Sequence, residues 1–205
     1  MKKLIPILML CAIMLSCRES NKKEQSNEAN TEEIITQTTK KTTNKTADNA
    51  TFLCKINGVD WAYTSSDGIV SRNSSTKVRT ATIGFRKQLE KGYESIQLEY
   101  DVDKKVLNNV WVQLKRPAKD GKLITAFYTQ YGDKIDLDPK ARLSGTVSLN
   151  EDTRKASGTA EIIISNDHEQ DQLSNLEDLL ITISGLSFSE VSYSDTDDLK
   201  KLMKK

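Results

Sequence analysis

The sequence predicts a mainly β protein: an antiparallel β-sandwich or barrel of about eight or nine strands, with a short C-terminal helix. Three observations carry that expectation. Apolar residues recur with a period of two through the second and third quarters of the chain, the alternation of a half-buried strand and not the 3.6-residue period of a helix. Turn-forming pairs, Asn57-Gly58, Asp67-Gly68, Asp120-Gly121 and Gly132-Asp133, punctuate these segments. Strands do not alternate with helices, and neither standard glycine-rich phosphate loop occurs, which argues against a nucleotide-binding α/β fold.

From the N-terminus, residues 1–16 read as a secretory signal. Lys2 and Lys3 precede an apolar run from Leu4 to Leu15, followed by small Ser16. A helix over that run would reach about 18 Å, short of the ~30 Å hydrocarbon core, so a permanent span is not expected. Met14-Leu15-Ser16-Cys17 resembles a bacterial lipobox. The resemblance implies cleavage before Cys17 and diacylglycerol on its thiol, making the lipid bilayer a partner. Cys11 is a poorer candidate because bulky Leu10 precedes it. Arg18 follows Cys17 where an aspartate would imply retention at the inner membrane, so the implied destination is the outer membrane of the cell envelope. Residues 17–50 form the lipidated tether. Residues 18–50 lack aromatics, Gly and Pro, and are too polar to offset the entropy of ordering.

Residues 51–205 form the domain. All twelve aromatics (4 Phe, 2 Trp, 6 Tyr) fall between Phe52 and Tyr193. Strands are expected around Phe52-Cys54-Ile56, Arg79-Ala81-Ile83-Phe85, Glu94-Ile96-Leu98-Tyr100-Val102 and Val110-Val112-Leu114. Others follow around Leu123-Thr125-Phe127-Thr129-Tyr131, Leu143-Val147-Leu149, Ala160-Ile162-Ile164 and Leu179 to Phe188. Each set is read as the core-facing row of its strand. Asp167 to Asp178 is a short helix or a long loop. Asp195 to Lys205 is the C-terminal helix, with acids at its start and lysines at its end, as the helix dipole favours.

Composition limits the chemistry. The chain has 30 Lys+Arg against 29 Asp+Glu, a net charge of +1, without the basic excess of a nucleic-acid binder. His168 is the only histidine and lies in a polar run, and no Gly-x-Ser-x-Gly elbow exists, so no catalytic residue is assigned. Cys54 on an apolar strand reads as a small buried hydrophobe. With one His and so few Cys, zinc is excluded. Asp133, Asp136 and Asp138 would be first in line for calcium, but they match neither the spacing nor the glycine of an EF-hand, so neither metal nor cofactor is assigned. Trp61, Tyr63 and Trp111 are the candidate ligand-binding aromatics. Charge is unevenly spread: residues 51–131 carry 13 basic and 8 acidic groups, whereas residues 132–198 carry 5 basic and 15 acidic. Interleaving of strands from both halves is expected to mix these charges over the surface.

The run Phe52-Leu53-Cys54-Lys55-Ile56-Asn57-Gly58-Val59-Asp60-Trp61 is similar to the opening of small lipoproteins of Bacteroidota, with a strand, an Asn-Gly turn and a nearby Trp. Leu143 to Leu149 and Leu180 to Phe188 look like the Gly-Thr-x-Ser and Ile-Thr-x-Gly-x-Phe strands of the same proteins. The resemblance implies a β-sandwich-like lipoprotein and transfers no catalytic residue. Together these readings point to a non-enzymatic, membrane-anchored binding module for an envelope protein or glycan. The alternatives are an inhibitor or immunity-type protein, and a hydrolase with an unrecognised carboxylate site.

Overall fold

The computed structural model describes residues 49–137, 139–166 and 171–198, with backbone only for residues 135–137. Ten strands form: β1 (Thr51–Ile56), β2 (Val59–Tyr63), β3 (Ser65–Arg72), β4 (Arg79–Gln88), β5 (Tyr93–Asp101), β6 (Val106–Pro117), β7 (Leu123–Tyr131), β8 (Arg142–Asn150), β9 (Lys155–Ser165) and β10 (Leu180–Asp195). The protein is mainly β, with a sandwich-like arrangement. Strands β3 to β7 pair antiparallel in succession, and β2-β1-β10-β9-β8 make up the rest.

Strand β10 joins the two parts. Its first half lies antiparallel between β1 and β9, while Tyr193–Asp195 runs parallel to β3. This single parallel pairing departs from the all-antiparallel expectation. Register shifts between Ile183 and Leu186 and between Phe188 and Val191 bend the strand. Gly185 and Glu190 adopt φ of 62° and 59° there, consistent with bulges that turn it from one sheet into the other. Strands β7 and β8 are not paired with each other, so the sheet does not close into a barrel.

The core lies between the layers. Ile83 and Phe85 of β4, Ile96 and Leu98 of β5, and Val110, Val112 and Leu114 of β6 meet Ile162 and Ile164 of β9 and Ile181, Ile183 and Leu186 of β10. Phe85 and Phe188 contact edge-on at 5.2 Å between ring centroids. Phe188 lies over Gly158, its β9 register partner, where an added Cβ would fall 2.8 Å from the Phe188 ring and collide with the Thr146 carbonyl oxygen. A short helix begins at Thr196, its first turn capped by Asp195 Oδ1, which accepts from the Asp197 amide at 2.9 Å.

Four local readings are corrected. The β7 row Leu123, Thr125, Phe127, Thr129, Tyr131 faces away from the core, and Ala126, Tyr128 and Gln130 are buried instead. Antiparallel register with β6 decides this: inward Val110, Val112 and Leu114 pair with Gln130, Tyr128 and Ala126. In β1, a bulge between Phe52 and Cys54 turns Leu53 and Cys54 inward and leaves Phe52 52% exposed. Asp67-Gly68 is not a turn: Gly68 is inside β3, against Ile83 and Tyr193, with no room for a Cβ. Gly132-Asp133 opens a 3₁₀ helix, Gly132–Leu137, instead of a hairpin.

Candidate functional site

The outer face of β4–β7 is the candidate site, and antiparallel register builds it. Across it run the rows Thr82-Glu99-Asn109-Tyr131, Gly84-Gln97-Trp111-Thr129 and Arg86-Ser95-Gln113-Phe127. Trp111 is half-buried here, while Phe127 and Tyr131 are 57% and 40% exposed. Trp111 and Tyr131 meet edge-on at 6.1 Å. Tyr131 lies four residue steps along the strand from Phe127, so the aromatic row spans about 14 Å.

Polar groups surround the rings. A register shift at Glu99/Tyr100 leaves Asn108 as an extra residue, and both Asn108 and Asn109 donate side-chain hydrogen bonds to Glu99 Oε1, at 3.2 and 2.9 Å. Gln113 Nε2 donates to the Tyr93 carbonyl at 3.4 Å. Lys115 Nζ donates to Thr125 Oγ1 at 2.6 Å, and the Arg86 guanidinium stacks over Tyr93 at 3.9 Å. Lys134 Nζ lies 5.2 Å from the Tyr131 ring centroid. Amides, hydroxyls and aromatic rings thus share one solvent-facing surface.

The three candidate aromatics of the sequence do not come together. Trp61 is 4% exposed and points inward, its Nε1 donating to Glu94 Oε2 at 3.0 Å. Tyr63 packs on Phe85 at 5.2 Å. Only Trp111 belongs to the outer face. Alternation alone places its companions Phe127 and Tyr131 in the core, whereas the register of β7 with β6 puts them outside. The signal that would have found them is the apolar content of both faces of LITAFYTQY: Ile124, Ala126 and Tyr128 also suit an interior.

A cavity of about 260 Å³ opens at one end of the sandwich, lined by residues that include Val59, Trp61, Lys87, Glu94, Arg116 and Asp178. Its buried carboxylate is engaged: Glu94 accepts from the Trp61 indole, from the Lys115 amide at 3.1 Å, and faces Lys87 Nζ at 3.5 Å. Asp178 lies 3.1 Å from Arg116 Nε, close enough for charge pairing but misaligned for a hydrogen bond, so that N–H lacks an acceptor among the described residues.

The opposite charges of the two halves of the chain meet as pairs. Arg72–Asp197 (3.7 Å), Arg79–Glu151 (2.8 Å), Arg79–Asp195 (2.8 Å) and Arg116–Asp178 each join a base from residues 51–131 to an acid from residues 132–198. Arg154 extends this network to Glu151 at 2.7 Å and to Asp198. Burial opposes ionisation of Asp195, but the Asp197 amide and the Arg79 guanidinium outweigh it and hold the carboxyl below its usual range. Burial pushes the Cys54 thiol up to about 12, the inert thiol expected on this strand.

Among the described residues no group of three or more His, Cys, Asp or Glu is arranged to hold a metal. Asp133 is exposed, and Asp138 lies outside the described residues, as do Cys17 and His168; the side chain of Asp136 does too. Comparison with known protein families, with curated proteins and with solved structures finds no match to this chain.

Proposed function

We propose that this is a lipoprotein of the bacterial cell envelope, anchored through acylated Cys17, whose β domain works by binding a glycan on the outer face of β4–β7. One observation carries the ligand class: Trp111, Phe127 and Tyr131 lie on a single solvent-facing sheet surface beside Gln97, Asn109 and Gln113. Aromatic faces accept the C–H face of a sugar ring, and amides exchange hydrogen bonds with its hydroxyls. A row of about 14 Å suits an extended chain lying along β7 better than a single sugar.

The anchor rests on the sequence pattern at residues 1–17. Two or more acyl chains hold a protein stably on a membrane, at about 0.8 kcal/mol per buried methylene. Metabolic palmitate labelling tests it: Cys17→Ala abolishes incorporation if the reading is right, and undiminished labelling refutes it. Affinity electrophoresis of the full chain in detergent, through gels containing neutral and acidic plant and bacterial polysaccharides, tests the ligand. Retardation by at least one polysaccharide, lost in Trp111→Ala, supports the glycan reading; unretarded migration in all of them removes it.

A further inference from the structure

The same face also specifies charge, and the following rests on the glycan reading. Three cations border the aromatic row. Arg86 and Lys115 lie toward the Phe127 end, in the rows Arg86-Ser95-Gln113-Phe127 and Lys115-Thr125, and Lys134 lies over Tyr131 at the other end. None of the three has a carboxylate within ion-pair distance among the described residues. They face the Tyr93 ring, the Thr125 hydroxyl and the Tyr131 ring. Elsewhere on the domain, Arg72, Arg79, Lys87, Arg116 and Arg154 face carboxylates. Among the described residues Lys77, Arg142 and Lys155 do not, but they meet backbone carbonyls or a hydroxyl. What marks this face is that its cations flank a row of exposed rings.

The acids of the face are set back from this role. Glu99 is engaged by two asparagine amides, and Asp67 sits over Gly84 on the β3 side, away from β7. We infer that the glycan is acidic, a polysaccharide carrying carboxylates or other anionic groups at intervals along the chain. Its rings stack on Trp111, Phe127 and Tyr131, while its anions pair with Arg86 and Lys115 at one end and Lys134 at the other. Cations that, among the described residues, face rings and a hydroxyl instead of carboxylates give selectivity for charge that a neutral polymer cannot exploit.

Calorimetric titration of the full chain in detergent with polygalacturonate, and with the same polymer fully methyl-esterified, isolates the charge. The acid form is expected to bind about tenfold more tightly at low salt, falling toward parity at ~0.5 M salt as exposed pairs are screened. Arg86→Gln, Lys115→Gln and Lys134→Gln are each expected to cut the acid-to-ester affinity ratio about twofold, and together about tenfold, the scale of exposed ion pairs. Trp111→Ala weakens binding of both polymers. Equal binding of acid and ester overturns the acidic-ligand inference while leaving the glycan reading intact; binding of neither removes both. Polygalacturonate binding that survives Trp111→Ala is diffuse ion exchange and also overturns it. So does tighter binding of oligothymidylate, since single-stranded nucleic acid offers both stacking and anions.

Discussion

Replacing Glu94 by leucine removes a buried carboxylate that accepts from two donors at the cavity end of the sandwich. Glu94 is 8% exposed and accepts from the Trp61 indole at 3.0 Å and the Lys115 backbone amide at 3.1 Å. Leucine fits the volume but leaves both donors buried and unsatisfied, at about 1–3 kcal/mol each. Relief from burying a charge offsets part of that cost, leaving a net destabilisation of about 3 kcal/mol. The Lys87 pair at 3.5 Å adds little, because Lys87 is partly solvated. Glu94→Gln keeps one acceptor oxygen and is expected to cost about 1 kcal/mol. Urea unfolding followed by tryptophan fluorescence reads this as a midpoint shift of about 2 M for leucine, with an unchanged slope. Adding Trp61→Phe to Glu94→Leu removes one orphaned donor, so the double variant is less than additive by about 1 kcal/mol. A leucine variant within about 0.5 kcal/mol of the parent, or a glutamine variant as costly as leucine, would refute the reasoning.

Three further outcomes follow from the same geometry. Asp195 has its carboxyl lowered from 3.8, so its contribution is complete above that unfolded-state value and is lost as pH falls through the lower folded value; Asp195→Asn flattens the acid limb of a stability–pH curve measured by urea unfolding, and an unchanged limb contradicts this. Gly158→Ala places a Cβ against the Thr146 carbonyl and Phe188, costing about 2–3 kcal/mol, while Gly58→Ala, with open space at φ +79°, costs only about 1 kcal/mol of backbone strain; thermal melts that reverse this order would sink the packing argument. Cys54, with its thiol at about 12, is expected to resist iodoacetamide at pH 8 in the native protein and to react in urea, as read by peptide mapping; fast native labelling would show that β1 opens readily.

Much of the fold is legible in the sequence because most strands put their apolar residues on one side only. In β5, Ile96, Leu98 and Tyr100 alternate with polar neighbours, and all three are buried. Asn57-Gly58 supplies the left-handed pair that a tight hairpin needs, with φ of 49° and 79°. Asn57 also ties that turn to β10 through the Thr182 amide, a contact no local pattern reveals. Strand β7 was illegible for a different reason. Both of its faces are apolar enough to be buried, so the choice passed to its pairing with β6, and alternation alone selected the wrong row. That same ambiguity hid the candidate site, because the misassigned residues are the exposed rings beside Trp111. Trp61 misled in the opposite sense. Its partner Glu94 is 33 residues away in sequence, and only folding brings a buried acceptor to the indole.

The most direct test of the proposed glycan-binding role of the β4–β7 face is an NMR titration that follows the two indole N–H resonances of the full chain as oligogalacturonate is added. Trp61 is buried and hydrogen-bonded to Glu94, whereas Trp111 lies on the outer face beside Tyr131, so each tryptophan reports on a different environment. Saturable movement of the Trp111 resonance with Trp61 unmoved is the expected result. Movement of Trp61 alone, or of neither resonance at saturating oligogalacturonate, would contradict the assignment of the β4–β7 face.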